Sequence, residues 1–198
     1  CMEERNSGGV AVGDLNGDGV DDMVFTRLHA QPLLYLGLGD GTFQVRAPAD
    51  TGLIMPELPA SHPARALPSF RQSVPKSSNG VVLVDVDNDG DEDVYITSMG
   101  GVHHGLFIND GSGVFTEEAA ARGATGRLQG DTGLSSGGAV GVADYDNDGW
   151  LDLYVTEWRM ILHSDVFTSP VWRQSNSVLL RNVGGGHFED VTDAAGLQ

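Results

Sequence analysis

The sequence predicts an all-β fold built from three like units, and three observations predict it. The nine-residue pattern D-x-[DN]-x-D-G-x-x-D occurs three times, at Asp14–Asp22, Asp85–Asp93 and Asp144–Asp152. Each copy runs directly into a short stretch rich in β-branched and aromatic residues, M-V-F-T, V-Y-I-T and L-Y-V-T, which suits a pleated surface better than a helix. The 28 glycines, with few apolar patterns of helical period, point to a turn-rich chain made of sheets.

The acidic pattern repeats most faithfully. Side-chain oxygens at positions one, three, five and nine crowd one small volume, and such crowding wants a hard cation. Calcium takes six to eight oxygens at about 2.3–2.6 Å in adaptable geometry, whereas magnesium demands a near-ideal octahedron and keeps its waters, so calcium is the expected ion at all three sites. The expected ligands are Asp14, Asn16, Asp18 and Asp22 in the first corner, Asp85, Asp87, Asp89 and Asp93 in the second, and Asp144, Asp146, Asp148 and Asp152 in the third. The main-chain carbonyls of Val20, Asp91 and Trp150 at position seven add a further oxygen each. Glycine at position six lets the chain turn back sharply. The first corner, with Asn16 where the others carry aspartate, is expected to bind most weakly. An EF-hand begins in the same way but needs a glutamate at position twelve; here that position holds Phe25, Ile96 and Val155. Apolar runs also precede each pattern, so each loop reads as a corner between two strands.

Downstream of each strand pair lies a second shared signature, L-Y-L-G-L-G-D-G-T-F, L-F-I-N-D-G-S-G-V-F and L-L-R-N-V-G-G-G-H-F, ending at Phe43, Phe115 and Phe188. An apolar strand, a glycine-rich turn and an aromatic opening the next strand make a hairpin. Each unit thus offers four strands. The second and third continue as F-T-E-E-A-A-A-R-G-A and F-E-D-V-T-D-A-A-G-L, a short strand and then a helical turn closed by glycine. A four-stranded sheet cannot bury both faces alone, but sheets set side by side around an axis can, and that is a β-propeller. The expected boundaries are 8–50 for the first blade, a proline-rich linker over 46–79, 80–122 for the second blade, and 137–193 for the third with an insertion over 157–176.

The three corners and the N-x-G-x-G-x-F hairpins resemble FG-GAP/VCBS repeats, the family that includes the propeller of integrin α subunits and the secreted proteins like cartilage acidic protein. The resemblance implies a propeller of about seven blades, with calcium clamped between the first two strands of a blade. Three units leave two open sheet edges, so the chain is expected to be part of a longer propeller, completed by further blades of the same or another chain.

A net charge of −17 argues against nucleic acid or an anionic membrane as partner, and no apolar run reaches the length of a spanning helix, so no direct membrane insertion is expected. With 40% hydrophobic residues the chain is not disordered. The lone Cys1 allows no internal disulfide; pairing outside this sequence, lipid attachment and a boundary position stay open to it. No nucleophile elbow, phosphate loop or zinc-protease motif is present, and the aspartates are better used as ligands than as acid–base catalysts, so no enzyme is expected.

Two stretches break the period. The linker carries Pro48, Pro56, Pro59, Pro63, Pro68 and Pro75 and reads either as an extended connection or as an ordered binding loop. The insertion carries Trp158, Met160, Phe167 and Trp172, which either pack on the blade edge or meet a partner. Because connections in an up-and-down blade alternate between its ends, the acidic corners and hairpin turns share one face, and the linker and insertion share the other. That second face is the expected surface for a protein or glycan partner. His29, His62, His103, His104 and His163 fall on it too, with His187 elsewhere, and they are expected to be ordinary exposed histidines rather than a metal cluster. The function expected is a calcium-stabilised, non-catalytic adhesion or assembly module at the cell surface or outside the cell, where calcium is high enough to fill weak sites. The alternatives are a secreted propeller that binds a glycan or other ligand, and a scaffold attached to a hydrolase outside this chain.

Overall fold

The apolar stretches flanking each acidic pattern form strands, and within each unit every strand pairs antiparallel with its neighbour in sequence. The computed structural model describes residues 8–27, 30–57, 78–101, 103–127, 135–157 and 177–197. The first sheet holds β1 (Val10–Gly13), β2 (Asp22–Phe25), β3 (Leu33–Gly37) and β4 (Phe43–Arg46). A helical turn, α1 (Pro48–Thr51), follows. The second sheet holds β5 (Ser78–Val84), β6 (Asp93–Gly101), β7 (Gly105–Asn109) and β8 (Phe115–Glu117), and the third β9 (Ser135–Ala143), β10 (Asp152–Glu157), β11 (Val178–Asn182) and β12 (Phe188–Asp190). The far ends of β6 and β9 also pair, Met99 opposite Ser136 and Gly101 opposite Ser135, which links the second and third sheets. These are three four-stranded blades side by side; the described residues do not close a ring.

The core lies between blades. Leu15, Val24 and Leu34 of the first blade pack against Val94, Ile96, Phe107 and Phe115 of the second. The opposite face of the second, with Val84, Tyr95 and Leu106, packs against Leu153, Val155 and Val178 of the third. Strands covered on both faces lose the alternation of a half-exposed sheet. That is why β7 is buried along nearly its whole length while β1 shows exposed positions at every second residue.

One expectation is corrected here. The stretch after β4 is neither a loose connection nor an extended one at its start: Pro48 opens α1, where its missing N–H is no loss, and Gly52 closes the turn in the left-handed conformation at φ 76°. Leu53 and Met55 then enter the core between the first two blades. The same turn, closed by Gly123 at φ 75°, follows β8. A Cβ on Gly52 would fall 2.0 Å from the carbonyl oxygen of Phe115, and one on Gly123 2.3 Å from that of Phe188. The turn of one blade therefore lies against the outermost strand of the next, at a distance only glycine allows. Residues 58–77 and 158–176, the latter containing Trp158, Met160, Phe167 and Trp172, lie outside the described residues. Among those described, no helix is long and apolar enough to cross a membrane.

Candidate metal centre

The ninth-position aspartates hold the shape of each corner. Asp22, Asp93 and Asp152 open β2, β6 and β10 and are almost wholly buried. One oxygen of each accepts the N–H of the second corner residue, Leu15 at 3.1 Å, Val86 at 3.1 Å and Tyr145 at 3.0 Å. The other accepts the N–H of the residue that ends the third strand, Gly37, Asn109 and Asn182, each at 2.8 Å. The sequence reading makes these side chains ligands; the structure gives them a second task, stapling the corner to the hairpin beside it. Burial raises the carboxyls of Asp22 and Asp152. It pushes Asp93 up to about 7, aided by the charges of Asp87 and Asp89 and opposed by the amides of Asn109 and Val86.

The remaining carboxylates form a shell nearer solvent. Each first-position aspartate receives the N–H groups of positions five and six, at 3.1 and 2.8 Å for Asp14, 3.2 and 3.1 Å for Asp85, and 3.1 and 3.0 Å for Asp144. The fifth-position carboxylates receive the N–H of Val20 at 2.8 Å, Asp91 at 3.0 Å and Trp150 at 3.0 Å. The fold over of the chain depends on position four, where Gly17, Asn88 and Asn147 all take positive φ. Glycine and asparagine are the residues that tolerate it, a regularity visible in the sequence and not used in reading it.

These loops bring acidic oxygens together. One oxygen each from Asp85, Asp87 and Asp89 lie within 4.8 Å of one another, and so do oxygens of Asp144, Asp146 and Asp152. Asp87 Oδ1 is buried without a hydrogen-bond partner, although a buried polar atom is costly unless satisfied. Convergent carboxylates with a buried, unpartnered oxygen fit a hard divalent cation. The first corner differs: Asn16 Nδ2 donates to Asp18 Oδ2 at 3.1 Å, so an amide stands where the other two corners place a third carboxylate.

Several neighbours escape sequence reading because they arrive from distant stretches of the chain. Arg122, on the turn after β8, donates to Asp87 Oδ2 at 3.2 Å, to Glu118 at 2.7 Å and to the carbonyl of Gly185 at 2.7 Å. Asn88 Nδ2 reaches the carbonyl of Gly149 in the third corner at 3.2 Å. Glu92 is raised by burial first and then by the charges of Asp14, Asp21 and Asp85, so the first two corners feel each other electrostatically. The hairpin asparagines bind the preceding corner: Asn109 Nδ2 donates to Leu15 O at 2.9 Å and Asn182 Nδ2 to Val86 O at 2.7 Å.

The histidine expectation is corrected in part. His104 is fully buried, with Nδ1 accepting from the N–H of Ser98 at 3.0 Å and Nε2 facing Glu157 Oε1 at 3.0 Å. A ring whose Nδ1 accepts carries its proton on Nε2, so the contact is a donated bond to the carboxylate. Glu157 closes β10 and is buried as well, so the pair ties the second blade to the third. His187 is exposed on the hairpin of the third blade, and His29, His62 and His163 lie outside the described residues.

Antiparallel four-stranded blades with an acidic corner between their first two strands define a propeller-type repeat. The comparison with family models makes it particular: residues 76–155 match the FG-GAP-like repeat, so the chain carries FG-GAP-like repeat sequence through its second blade and into β10. No curated protein compared with it matches. A solved structure described as the basis of specific recognition of non-reducing terminal N-acetylglucosamine by an Agrocybe aegerita lectin is similar at 18% identity, over 92% of this chain and 37% of that one, with a TM-score of 0.45. This chain spans little more than a third of that protein's length.

Proposed function

We propose that the chain is a calcium-stabilised, non-catalytic β-propeller module of the cell surface or extracellular space, serving adhesion or assembly. The observation that carries the metal is the buried, unpartnered Oδ1 of Asp87 inside the triad with Asp85 and Asp89. The third corner offers Asp144, Asp146, Asp148 and Asp152, and the first Asp14, Asn16, Asp18 and Asp22, with the carbonyls of Val20, Asp91 and Trp150 as further oxygens. The ion supplies positive charge where carboxylates repel, so its binding stabilises the folded chain by mass action. The protein's own groups do the rest: the ninth-position aspartates fix the corner, and the glycine or asparagine at position four folds it over.

Because corners and hairpin turns occupy one end of the blades, the partner surface belongs to the other end, where the insertion with Trp158, Met160, Phe167 and Trp172 leaves β10. A protein or glycan fits that assignment. Calorimetric titration with calcium, together with thermal melts in calcium and in chelator, tests the metal. Saturable binding with a midpoint that falls in chelator supports it, and an unchanged midpoint removes calcium. A glycan array with the double variant W158A/W172A separates the two partner classes.

A further inference from the structure

The second corner carries the most negative charge of the three. Besides Asp85, Asp87, Asp89 and Asp93 it holds Asp91 and Glu92, where the third has Trp150 and Leu151 and the first Val20 and Asp21. To this corner the turn after β8 delivers Arg122, whose side chain is only 14% exposed. Its guanidinium donates to Asp87 Oδ2 at 3.2 Å, to Glu118 Oε2 at 2.7 Å and, in the hairpin of the third blade, to the carbonyl of Gly185 at 2.7 Å. The main chain holds the residue in place. Its carbonyl accepts the N–H of Phe188 at 2.7 Å, and its own N–H donates to the carbonyl of Glu118 at 2.9 Å. Among the described residues no other basic side chain bonds a corner carboxylate. In the matching turns, the residues before Gly52 and Gly196 are Thr51 and Ala195, both uncharged.

We propose that Arg122 is a built-in counter-cation of the second corner, which neutralises Asp87 when no metal is bound and lowers that corner's affinity for a divalent cation. The inference rests on the calcium reading given above. Two effects of the side chain oppose each other. By engaging Oδ2, the guanidinium fixes Asp87 with its buried Oδ1 left free for an ion. That favours binding by no more than the conformational freedom of one short side chain. The guanidinium also sets a positive charge on a carboxylate that the ion would share, in a partly buried place where water screens poorly. Repulsion between the two cations is the larger effect. Linkage makes it mutual: an ion in the corner weakens the pair of Arg122 and Asp87 by the factor by which that pair weakens the ion. The arginine therefore steadies the most acidic corner without metal and reserves its filling for high calcium.

Calcium titration of the full chain, followed by amide NMR, tests it one corner at a time, because the N–H groups of Gly19, Gly90 and Gly149 each donate to the first-position aspartate of their own corner. Arg122→Gln is expected to move the Gly90 midpoint to about tenfold lower calcium and to leave the Gly19 midpoint in place. Arg122→Lys keeps the charge and loses the fork, and is expected to hold the Gly90 midpoint near that of the wild type. In chelator, Arg122→Gln should unfold at lower urea than the wild type. Circular dichroism shows whether that variant folds, and Arg122→Met takes its place if it does not. A Gly90 midpoint that is unchanged in the neutral variant, or that moves to higher calcium, overturns the proposal, because a residue that only positions Asp87 would give that result. So does a lysine variant that tightens as the neutral one does, or a neutral variant as stable as the wild type in chelator. A wild type in which none of the three amides responds to calcium overturns the calcium reading and this proposal with it, a result distinct from each of the others.

Discussion

At the acidic end of the blades the same bonds recur: Asn109 binds the first corner as Asn182 binds the second, and Asp22, Asp93 and Asp152 each accept the same two amides. At the opposite end one bond recurs, the hydroxyl of Thr26 donating to Asn79 O as that of Thr97 donates to Gly138 O, and the rest differs from joint to joint. The first and second blades are further tied by Ser78, which bonds both the N–H and the carbonyl of Arg27. The second and third are tied by the buried pair of His104 and Glu157. One end is written by the repeat, and the other adds to one repeated bond contacts particular to each pair of neighbours. The ends should therefore respond differently to metal, pH and substitution.

The largest effect is expected from Asp93→Ala, which leaves two buried amides without acceptors. At about 1–3 kcal/mol for each unsatisfied group, a loss of about 3–5 kcal/mol should appear in urea unfolding in chelator, and a larger one in calcium, where a ligand is removed as well. A loss no larger in calcium than in chelator would mean that Asp93 staples the corner without binding the ion. Next comes His104→Ala at the other end, which leaves the buried carboxylate of Glu157 with only the N–H of Arg127 as donor; about 2–4 kcal/mol should be lost, irrespective of calcium. A calcium-dependent loss there would mean that the two ends are coupled.

The pH response separates the ends further. The folded-state carboxyl of Asp93 is raised above its unfolded value of 3.8 to about 7, so its contribution is fully present below about pH 4 and is lost as pH rises through about 7. In chelator, stability should therefore fall between pH 5 and pH 8. Saturating calcium, which favours the ionised corner, should flatten or reverse that slope, and identical slopes in both buffers would contradict the assignment. A smaller effect is expected from Asp87→Ala. In calcium it removes a ligand and should cost about 1–2 kcal/mol of the metal's stabilisation, while in chelator the change should be near zero, because one carboxylate fewer offsets the lost contact with Arg122. The smallest is Asn16→Asp, which gives the first corner the aspartate of the others. It should tighten calcium binding there in a titration and lower stability in chelator by at most about 0.5 kcal/mol.

The acidic end was legible because its chemistry is local. Corner and hairpin phenylalanine lie 29 residues apart in the first blade, 30 in the second and 44 in the third, and the spacing of aspartate, glycine and phenylalanine records them. The dual role of Asp93 was half legible: its place in the pattern marks it as acidic and fixed, but the pattern does not show that both oxygens go to amides. The turn at Pro48–Thr51 was missed because the proline-rich stretch was read as an extended connection or a binding loop, although proline at the first helical position is well placed. His104 looked like a surface histidine because its partner Glu157 stands 53 residues away and belongs to another blade.

By itself the sequence determined the three blades of the described residues, the antiparallel order within each, and the gathering of carboxylates at the second and third corners. Turn geometry and strand alternation are properties of neighbouring residues, and they need no knowledge of what lies beyond them. Only the tertiary structure decided which faces are covered. Phe43, Phe115 and Phe188 stand at the same place in three like blades, yet the first is exposed and the other two are buried, because burial depends on the blade packed alongside and not on the residue.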